Sequence, residues 1–208
     1  MKGIFYGIGI GPGDPEHITL KAVRMMKEVD VIAAPGTDVK ETLAYRIAVQ
    51  AVPEIEQKEM LPIDMPMTMD KELLLKAHKS GAETIEKVLA EGKSVGFITL
   101  GDTTVYSTFS YLEKIVKGHG FETVYISGIT SFCAAAASLG ISLTEWQEPL
   151  HVIPAVHQLD DKLALDGSYV LMKSGRQMPK VKEILKASGR KVNMVENCGL
   201  PNENKYYS

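Results

Sequence analysis

Short runs of apolar residues alternate with apolar stripes at helical spacing over the first 140 residues of the chain. Four runs are continuous enough to be buried strands: Gly3 to Ile10, Val29 to Ala34, Val95 to Leu100 and Thr123 to Ile126. Helical spacing lies between and after them: His17 to Lys27, Leu43 to Ala51, Lys71 to Ala90, a segment that ends at Lys117, and Ser131 to Leu139. Because strands that alternate with helices form parallel sheets covered on both faces, we expect an α/β fold.

The pattern changes near Gly140, and a polar connector runs from Ser142 to Pro149. Three more strand candidates follow, with one helical stripe between the last two: His151 to Ala155, Tyr169 to Met172, Val192 to Val195, and the stripe of Val181, Ile184 and Leu185. We therefore predict an N-terminal α/β domain over residues 1–143 and a smaller C-terminal α/β domain over residues 147–208. Since Pro201 to Ser208 is polar and turn-like, with no closing element, we expect the second domain to be truncated.

Composition and charge narrow the classes of function. The 208 residues are 45% hydrophobic and 24% charged, which is an ordinary globular composition. The formal net charge of -3 argues against a nucleic-acid partner, because nucleic-acid binders carry a basic surplus. The sequence contains neither an apolar run of about 18 residues nor a signal-peptide pattern, so we expect a cytoplasmic protein with no membrane partner.

Cysteines and histidines offer no metal site by their spacing. Cys133 and Cys198 lie far apart and outside any CxxC pair, which disfavours both a disulfide framework and a zinc site. We expect each histidine at the surface or at a helix end: His17, His78, His119, His151 and His157. The sequence therefore predicts no metal in the protein.

A glycine-rich turn, Gly7 to Asp14, follows the first strand and precedes a helix. Glycines at such a turn allow a ligand to approach the backbone closely. The G-x-G-x-x-G spacing of a dinucleotide site is not met, because Pro12 or Asp14 stands where the third glycine is required. The acidic residue expected after the second strand is also missing, since Ala34-Pro35 stands there. A tight structural turn that binds nothing is the alternative interpretation.

Two more loops stand at the carboxyl ends of predicted strands, where open α/β sheets bind ligands. Gly101-Asp102 follows the strand that ends at Leu100, and Gly128 to Ser131 follows the strand that ends at Ile126. Together with Gly9 to Asp14, these loops resemble, in order and spacing, the GxGPGD, GD and PGIT-type loops of the tetrapyrrole methylase family. The resemblance covers essentially the whole chain. It implies S-adenosylmethionine as the methyl donor and two α/β domains with the cofactor cleft between them.

The chain departs from the family pattern at three places. Thr103 follows Gly101-Asp102 where relatives usually have proline, and Ser127 replaces another proline. Ala34 to Gly36 stands where uroporphyrinogen methylases carry an aspartate, which counts against uroporphyrinogen as the substrate.

Within the family, three stretches are most similar to the methylases of carbon 20 of precorrin-2 or cobalt-factor II: Val105 to Thr108, Thr130 to Ala136 and Glu196 to Gly199. The resemblance therefore implies a step of cobalamin biosynthesis. Other precorrin methyltransferases that act at C11 or C17, diphthine synthases and ribosomal RNA methylases remain as alternatives. A nucleotide-binding oxidoreductase and a binding module without activity are further alternatives from other classes.

The resemblance also implies which residues contact the cofactor: Pro12, Leu100, Gly101, Asp102, Val105, Thr130, Ser131, Phe132, Met172 and Cys198. Asp14 and Tyr106 are candidates for contact with the substrate, although Asp14 is equally suited to cap a helix and Tyr106 to pack as an aromatic.

Because the sulfonium is already a strong electrophile, alignment and exclusion of water supply most of the rate, and no catalytic side chain is predicted. Lys173 and Arg176 are candidate rim cations for a carboxylate-rich ring. A homodimer is the implied assembly.

Overall fold

The computed structural model of the chain describes residues 2–66, 68, 70–155 and 163–207, apart from the side chain of Arg176. His157 therefore lies outside the described residues. Contacts divide the chain into a first unit, Met1–Ser131, and a second unit, Phe132–Ser208. The proposed domain limits, residues 1–143 and 147–208, differ from this division mainly in the assignment of the helix that begins at Ser131.

The first unit is built on a five-stranded sheet in the order β3-β2-β4-β1-β5, in which every pair of neighbouring strands is parallel. The strands are β1 (Ile4–Gly9), β2 (Val31–Pro35), β3 (Glu59–Ile63), β4 (Val95–Thr99) and β5 (Glu122–Ile126). Its helices are α1 (Leu20–Glu28), α2 (Leu43–Ala51), α3 (Lys71–Ala90) and α4 (Phe109–Gly118). The predicted α/β class with a parallel sheet is confirmed.

Side-chain caps determine where the first three helices begin. The hydroxyl of Thr19 accepts a hydrogen bond from the N–H of Ala22 at the start of α1, and that of Thr42 caps α2 in the same way. Asp70 accepts two backbone N–H bonds at the start of α3. Each cap satisfies N–H groups that have no partner within the helix.

The core of the first unit contains three buried phenylalanines, Phe5 of β1, Phe97 of β4 and Phe109 of α4. The rings of Phe5 and Phe109 have centroids 4.9 Å apart. A Cβ added to Gly7 would lie 2.5 Å from the Phe109 ring, so the missing side chain at this position makes room for the aromatic core. Gly7 therefore has a packing role in the strand that leads to the glycine-rich turn.

One strand of the sheet, β3, was not predicted from the sequence. Its residues, Glu59–Ile63, include a charged residue and Pro62, which obscure the apolar pattern of a buried strand. The structure places β3 at the edge of the sheet, where it pairs with β2 alone. Proline is tolerated on an edge strand because one side of that strand has no ladder to complete.

The second unit begins with α5 (Ser131–Leu139), whose first residue belongs to the first unit. In the described part of this unit, the elements that follow are β6 (Leu150–Pro154), β7 (Ser168–Met172), a short helical turn (Gly175–Gln177), α6 (Met178–Ser188), β8 (Asn193–Glu196) and β9 (Asn204–Tyr207). β6 pairs with β7 in parallel, and β8 pairs with β9 in an antiparallel hairpin.

The prediction that the last residues form no strand is wrong, because Asn204–Tyr207 pairs with β8 over four residues. Every residue of β9 is exposed, so the strand lacks the apolar alternation on which the sequence prediction relied. None of the helices in the described part of the chain is long and apolar enough to span a membrane.

Candidate functional site

The glycine-rich turn after β1 and the loop after β4 are joined through their backbones. The N–H of Gly101 donates to the carbonyl of Gly11 at 2.7 Å, and the N–H of Gly11 donates back to the carbonyl of Gly101 at 3.2 Å. Both loops lie at the carboxyl ends of neighbouring parallel strands, β1 and β4. This is the edge of an α/β sheet at which ligands bind.

Two further glycines bring the loop after β5 to the same point. A Cβ on Gly9 would lie 2.7 Å from both the carbonyl oxygen of Gly101 and the nitrogen of Gly128. A Cβ on Gly128 would collide with the carbonyl oxygen of Gly101 in turn. Gly9 and Gly128 therefore serve the packing of three loops against one another.

Gly101 has a different reason to be glycine. Its φ is +70°, a conformation that L side chains rarely adopt. The nearest atoms to an added Cβ, the carbonyl oxygen of Ile129 and the nitrogen of Ser131, are 3.9 and 4.0 Å away. An added Cβ would make ordinary van der Waals contacts with these atoms, so the position is restricted by its backbone conformation and not by crowding.

Asp102, one of the predicted cofactor residues, uses its carboxylate within the protein. The residue is buried, with 8% relative exposure. One oxygen, Oδ2, accepts the N–H of Gly128 at 2.9 Å, and the other, Oδ1, accepts the N–H of Thr104 at 2.7 Å. The Thr104 hydroxyl also bonds to Oδ1, and the Thr103 hydroxyl donates to the carbonyl of Ile126 at 3.3 Å. The two threonines therefore help to hold the loop after β4.

Thr130 and Ser131 form the end of the loop after β5, where α5 begins. The hydroxyl of Thr130 is buried and has no hydrogen-bond partner among the described residues. A buried hydroxyl without a partner carries a free-energy cost that a polar ligand group can remove. The site therefore has a polar group without a partner among the described residues, which fits a cofactor that is held largely by loop backbone.

The other predicted residues of the first unit lie on these loops with different degrees of exposure. Leu100 and Tyr106 are 42% and 43% exposed, whereas Pro12 and Val105 are half-buried. Tyr106 has a φ of +49°, which is uncommon for a bulky residue and is typical of strained functional positions.

Asp14 accepts the N–H of Glu16 at 2.9 Å and so caps the short helical turn Pro15–His17. In the structure Asp14 therefore caps a helical turn, which was the alternative interpretation of this residue.

In the second unit, the predicted residues stand where elements begin or end. Phe132 lies in the first turn of α5, Met172 is the last residue of β7, and Cys198 lies in the loop between β8 and β9; all three are half-buried. Burial, and secondarily the nearby Glu203 carboxylate, raises the pKa of the Cys198 thiol. Lys173 is exposed with a φ of +58°, and the Arg176 side chain lies outside the described residues.

Sequence reasoning gave no special weight to His17 or Glu203. The Nδ1 atom of His17 is buried without a hydrogen-bond partner among the described residues, and the side chain stands beside Gly11. Glu203 bonds to three parts of the second unit. No motif or periodicity marks either residue.

In the described part of the chain, no group of three His, Cys, Asp or Glu side chains is arranged to hold a metal ion.

A family model described as Tetrapyrrole (Corrin/Porphyrin) Methylases matches residues 5–207. The chain belongs to the tetrapyrrole methylase family. The resemblance noted for the three loops is thereby confirmed over nearly the whole length of the sequence.

Several curated relatives at 30% identity or more are named as methyltransferases of carbon 20 of the precorrin-2 ring. A Methanocaldococcus jannaschii protein named "Probable cobalt-precorrin-2 C(20)-methyltransferase" is 35% identical over 199 residues, which are 95% of this chain and 84% of the relative. The precorrin-2 C(20)-methyltransferase of a Sinorhizobium species is 30% identical over 90% of this chain and 80% of its own length. These names differ in whether the ring carries cobalt.

Solved structures of family members share the fold. The uroporphyrin-III C-methyltransferase of Thermus thermophilus, solved in complex with S-adenosylhomocysteine, matches with a TM-score of 0.70 at 23% identity. The match covers 99% of this chain and 88% of that structure. At this identity the likeness supports the fold alone.

Proposed function

We propose that this chain transfers a methyl group from S-adenosylmethionine to carbon 20 of precorrin-2 or of its cobalt complex, cobalt-factor II, in cobalamin biosynthesis. The observation that carries the proposal is the match over 95% of the chain, at 35% identity, to a relative named for C20 of cobalt-precorrin-2. The second named C20 relative, which matches 90% of the chain, supports the same ring position.

The loops of the first unit support the cofactor assignment. The free hydroxyl of Thr130 and the first N–H groups of α5 offer hydrogen bonds to polar groups of a ligand. Leu100 and Val105 offer apolar contact. The positive φ of Gly101 favours glycine, so no side chain stands at that point of the loop. In this proposal Pro12, Asp102 and Ser131 contribute through their backbone positions, and Phe132, Met172 and Cys198 contribute from the second unit.

The bound cofactor supplies an electrophilic methyl group, and the reduced ring supplies a carbon nucleophile. The contribution of this chain is to hold the reacting partners in line and to exclude water. The backbone bonds between Gly11 and Gly101, and the bond from Gly128 to Asp102, hold the loops to one another through the protein's own groups. Preformed loops lower the entropy cost of ligand binding, which is how these residues would contribute to the rate.

The test is transfer of a ¹³C-labelled methyl group from S-adenosylmethionine to purified precorrin-2 and, in a parallel reaction, to its cobalt complex. We expect one methyl per ring, located at C20 by NMR, and mass spectrometry of the two reactions identifies the preferred form of the ring. Label at C11 or C17 would assign the chain to another branch of the family. Efficient transfer to RNA or a peptide, with none to either ring, would overturn the substrate assignment.

A further inference from the structure

The loop between β8 and β9 holds Cys198 in a defined backbone conformation. The residues on either side of it, Asn197 and Gly199, have φ angles of +53° and +77°. Within the loop, the N–H of Leu200 donates to the carbonyl of Asn197 at 2.9 Å. Asparagine and glycine are the residue types that adopt positive φ most readily, so the local sequence suits this conformation.

Glu203 joins this loop to the rest of the second unit by side-chain bonds. One carboxylate oxygen, Oε2, accepts the N–H of Gly199 at 2.7 Å. Burial raises the pKa of the Cys198 thiol, and the nearby Glu203 carboxylate raises it further. One side chain thus bonds to Gly199 and lies near Cys198 at the centre of the loop.

The other end of this network is the last turn of α5. The hydroxyl of Ser138 donates to Oε1 of Glu203 at 2.5 Å. Lys205 pairs with Glu203 at 3.4 Å and donates to the backbone carbonyl of Ser138 at 2.6 Å. The carbonyls of a last helical turn have no partner within the helix, so Lys205 completes α5 while Glu203 joins it to the loop.

Glu203 keeps its charge under ordinary conditions. The hydrogen bond from Ser138, the backbone bond from Gly199 and the contact with Lys205 lower its pKa to about 2. Hydrogen bonds to a charged acceptor are shorter and stronger than those between neutral groups. The network therefore persists across the pH range in which the protein would act.

We propose that Glu203 is a positioning residue for the cofactor: its carboxylate fixes the loop around Cys198 to α5, the helix that begins at Ser131. The inference rests on the proposed function, in which Cys198 and the residues that start α5 contact the cofactor. Glu203 acts on the cofactor through the loop of Cys198, which it holds at the backbone N–H of Gly199.

The first test replaces Glu203 with glutamine, which has a similar shape but offers one carbonyl oxygen instead of two charged ones. We expect S-adenosylhomocysteine to bind about tenfold more weakly by calorimetry, since a charge-assisted bond within the loop is lost. The matched control is Tyr206→Phe, which removes the 3.1 Å bond from Tyr206 to Glu196 in the same hairpin and should bind as the parent does. Unfolding is measured beside binding, and both variants are compared well below their melting temperatures.

The second test uses Ser138→Ala, which removes one donor to Glu203 and retains a good helix former at the end of α5. We expect a smaller loss of affinity, and almost no further loss when Ser138→Ala is added to Glu203→Gln, because the two residues share one interaction. In the Glu203→Gln variant Cys198 should also react faster with iodoacetamide, with exposed Cys133 as the internal reference.

Two outcomes overturn the inference in distinguishable ways. If the parent binds S-adenosylhomocysteine and Glu203→Gln binds it equally well, Glu203 is a purely structural residue, and the proposed function stands. If the parent does not bind S-adenosylhomocysteine at all, the proposed function fails and the role of Glu203 fails with it.

Discussion

The carboxylate of Asp102 accepts a hydrogen bond from the backbone N–H of Gly128 at 2.9 Å. These residues follow β4 and β5, which are not neighbours, because β1 lies between them in the sheet. The bond therefore passes over the end of β1, next to Gly9, where no side chain fits. Asp102 thus joins the loops after β4 and β5, while the backbone bonds between Gly11 and Gly101 join the loop after β1 to them.

Replacing Asp102 with asparagine should destabilise the first unit by about 1–3 kcal/mol, because one of two part-buried N–H groups loses its acceptor and faces an amide NH₂ group. Urea unfolding measures the change. The control is Asp70→Asn at the N-cap of α3, where asparagine caps as well as aspartate and stability should hardly change. Equal effects of the two substitutions would contradict the role assigned to Asp102.

Gly101→Val should weaken the binding of S-adenosylhomocysteine, since it puts a branched side chain into the loop that the cofactor is proposed to approach. Gly189→Val is the matched control, because Gly189 has a similar φ, +64° against +70°, and open space around it. Each of the two substitutions should lower the free energy of unfolding by about 1–3 kcal/mol through backbone strain. The placement of the loop is wrong if calorimetry shows that Gly101→Val retains the parent affinity.

Asp14→Asn separates the two roles that Asp14 can have. Asparagine still accepts the N–H of Glu16, so stability should stay within about 0.5 kcal/mol of the parent. If Asp14 also contacts the substrate, removal of its charge should raise KM for the tetrapyrrole about fivefold or more. An unchanged KM, with unchanged stability, would leave Asp14 as a helix cap alone.

The Glu203 network should give stability a defined dependence on pH. The pKa of Glu203 is about 2 in the folded protein against 4.5 ordinarily, so its charge stabilises the fold above pH 4.5. This contribution is lost as pH falls from 4.5 through about 2. Urea unfolding of the parent and of Glu203→Gln should therefore differ most near neutral pH and converge in acid. A difference that stayed constant down to acid pH would refute the assignment.

The homodimer is tested by light scattering at micromolar concentration, where we expect twice the monomer mass of 22.8 kDa. Exposed apolar side chains on α3 and α4, Leu73, Leu75 and Tyr111, provide surface that an interface could cover. A mass equal to that of one chain would count against the assembly.

The sequence by itself determined the α/β class and the family. Buried parallel strands such as β2 and β4 are continuous apolar runs, and the loops after β1, β4 and β5 keep their residues at recognisable spacing. Both signals are local, since they depend on residues close together in the chain. Edge strand β3 and exposed strand β9 lack the apolar signal, and for that reason the sequence did not predict them.

Tertiary structure alone decided what individual side chains do. Asp102 was a cofactor candidate, and its bond to a residue 26 positions away shows that its carboxylate holds the loops. Glu203 was part of a polar tail, and it bonds to Ser138, 65 positions earlier. Thr130 was predicted as a contact, and only packing shows that its hydroxyl is buried without a partner among the described residues. Partners so distant along the chain leave no periodicity, because they meet only after the sheet and the hairpin have formed.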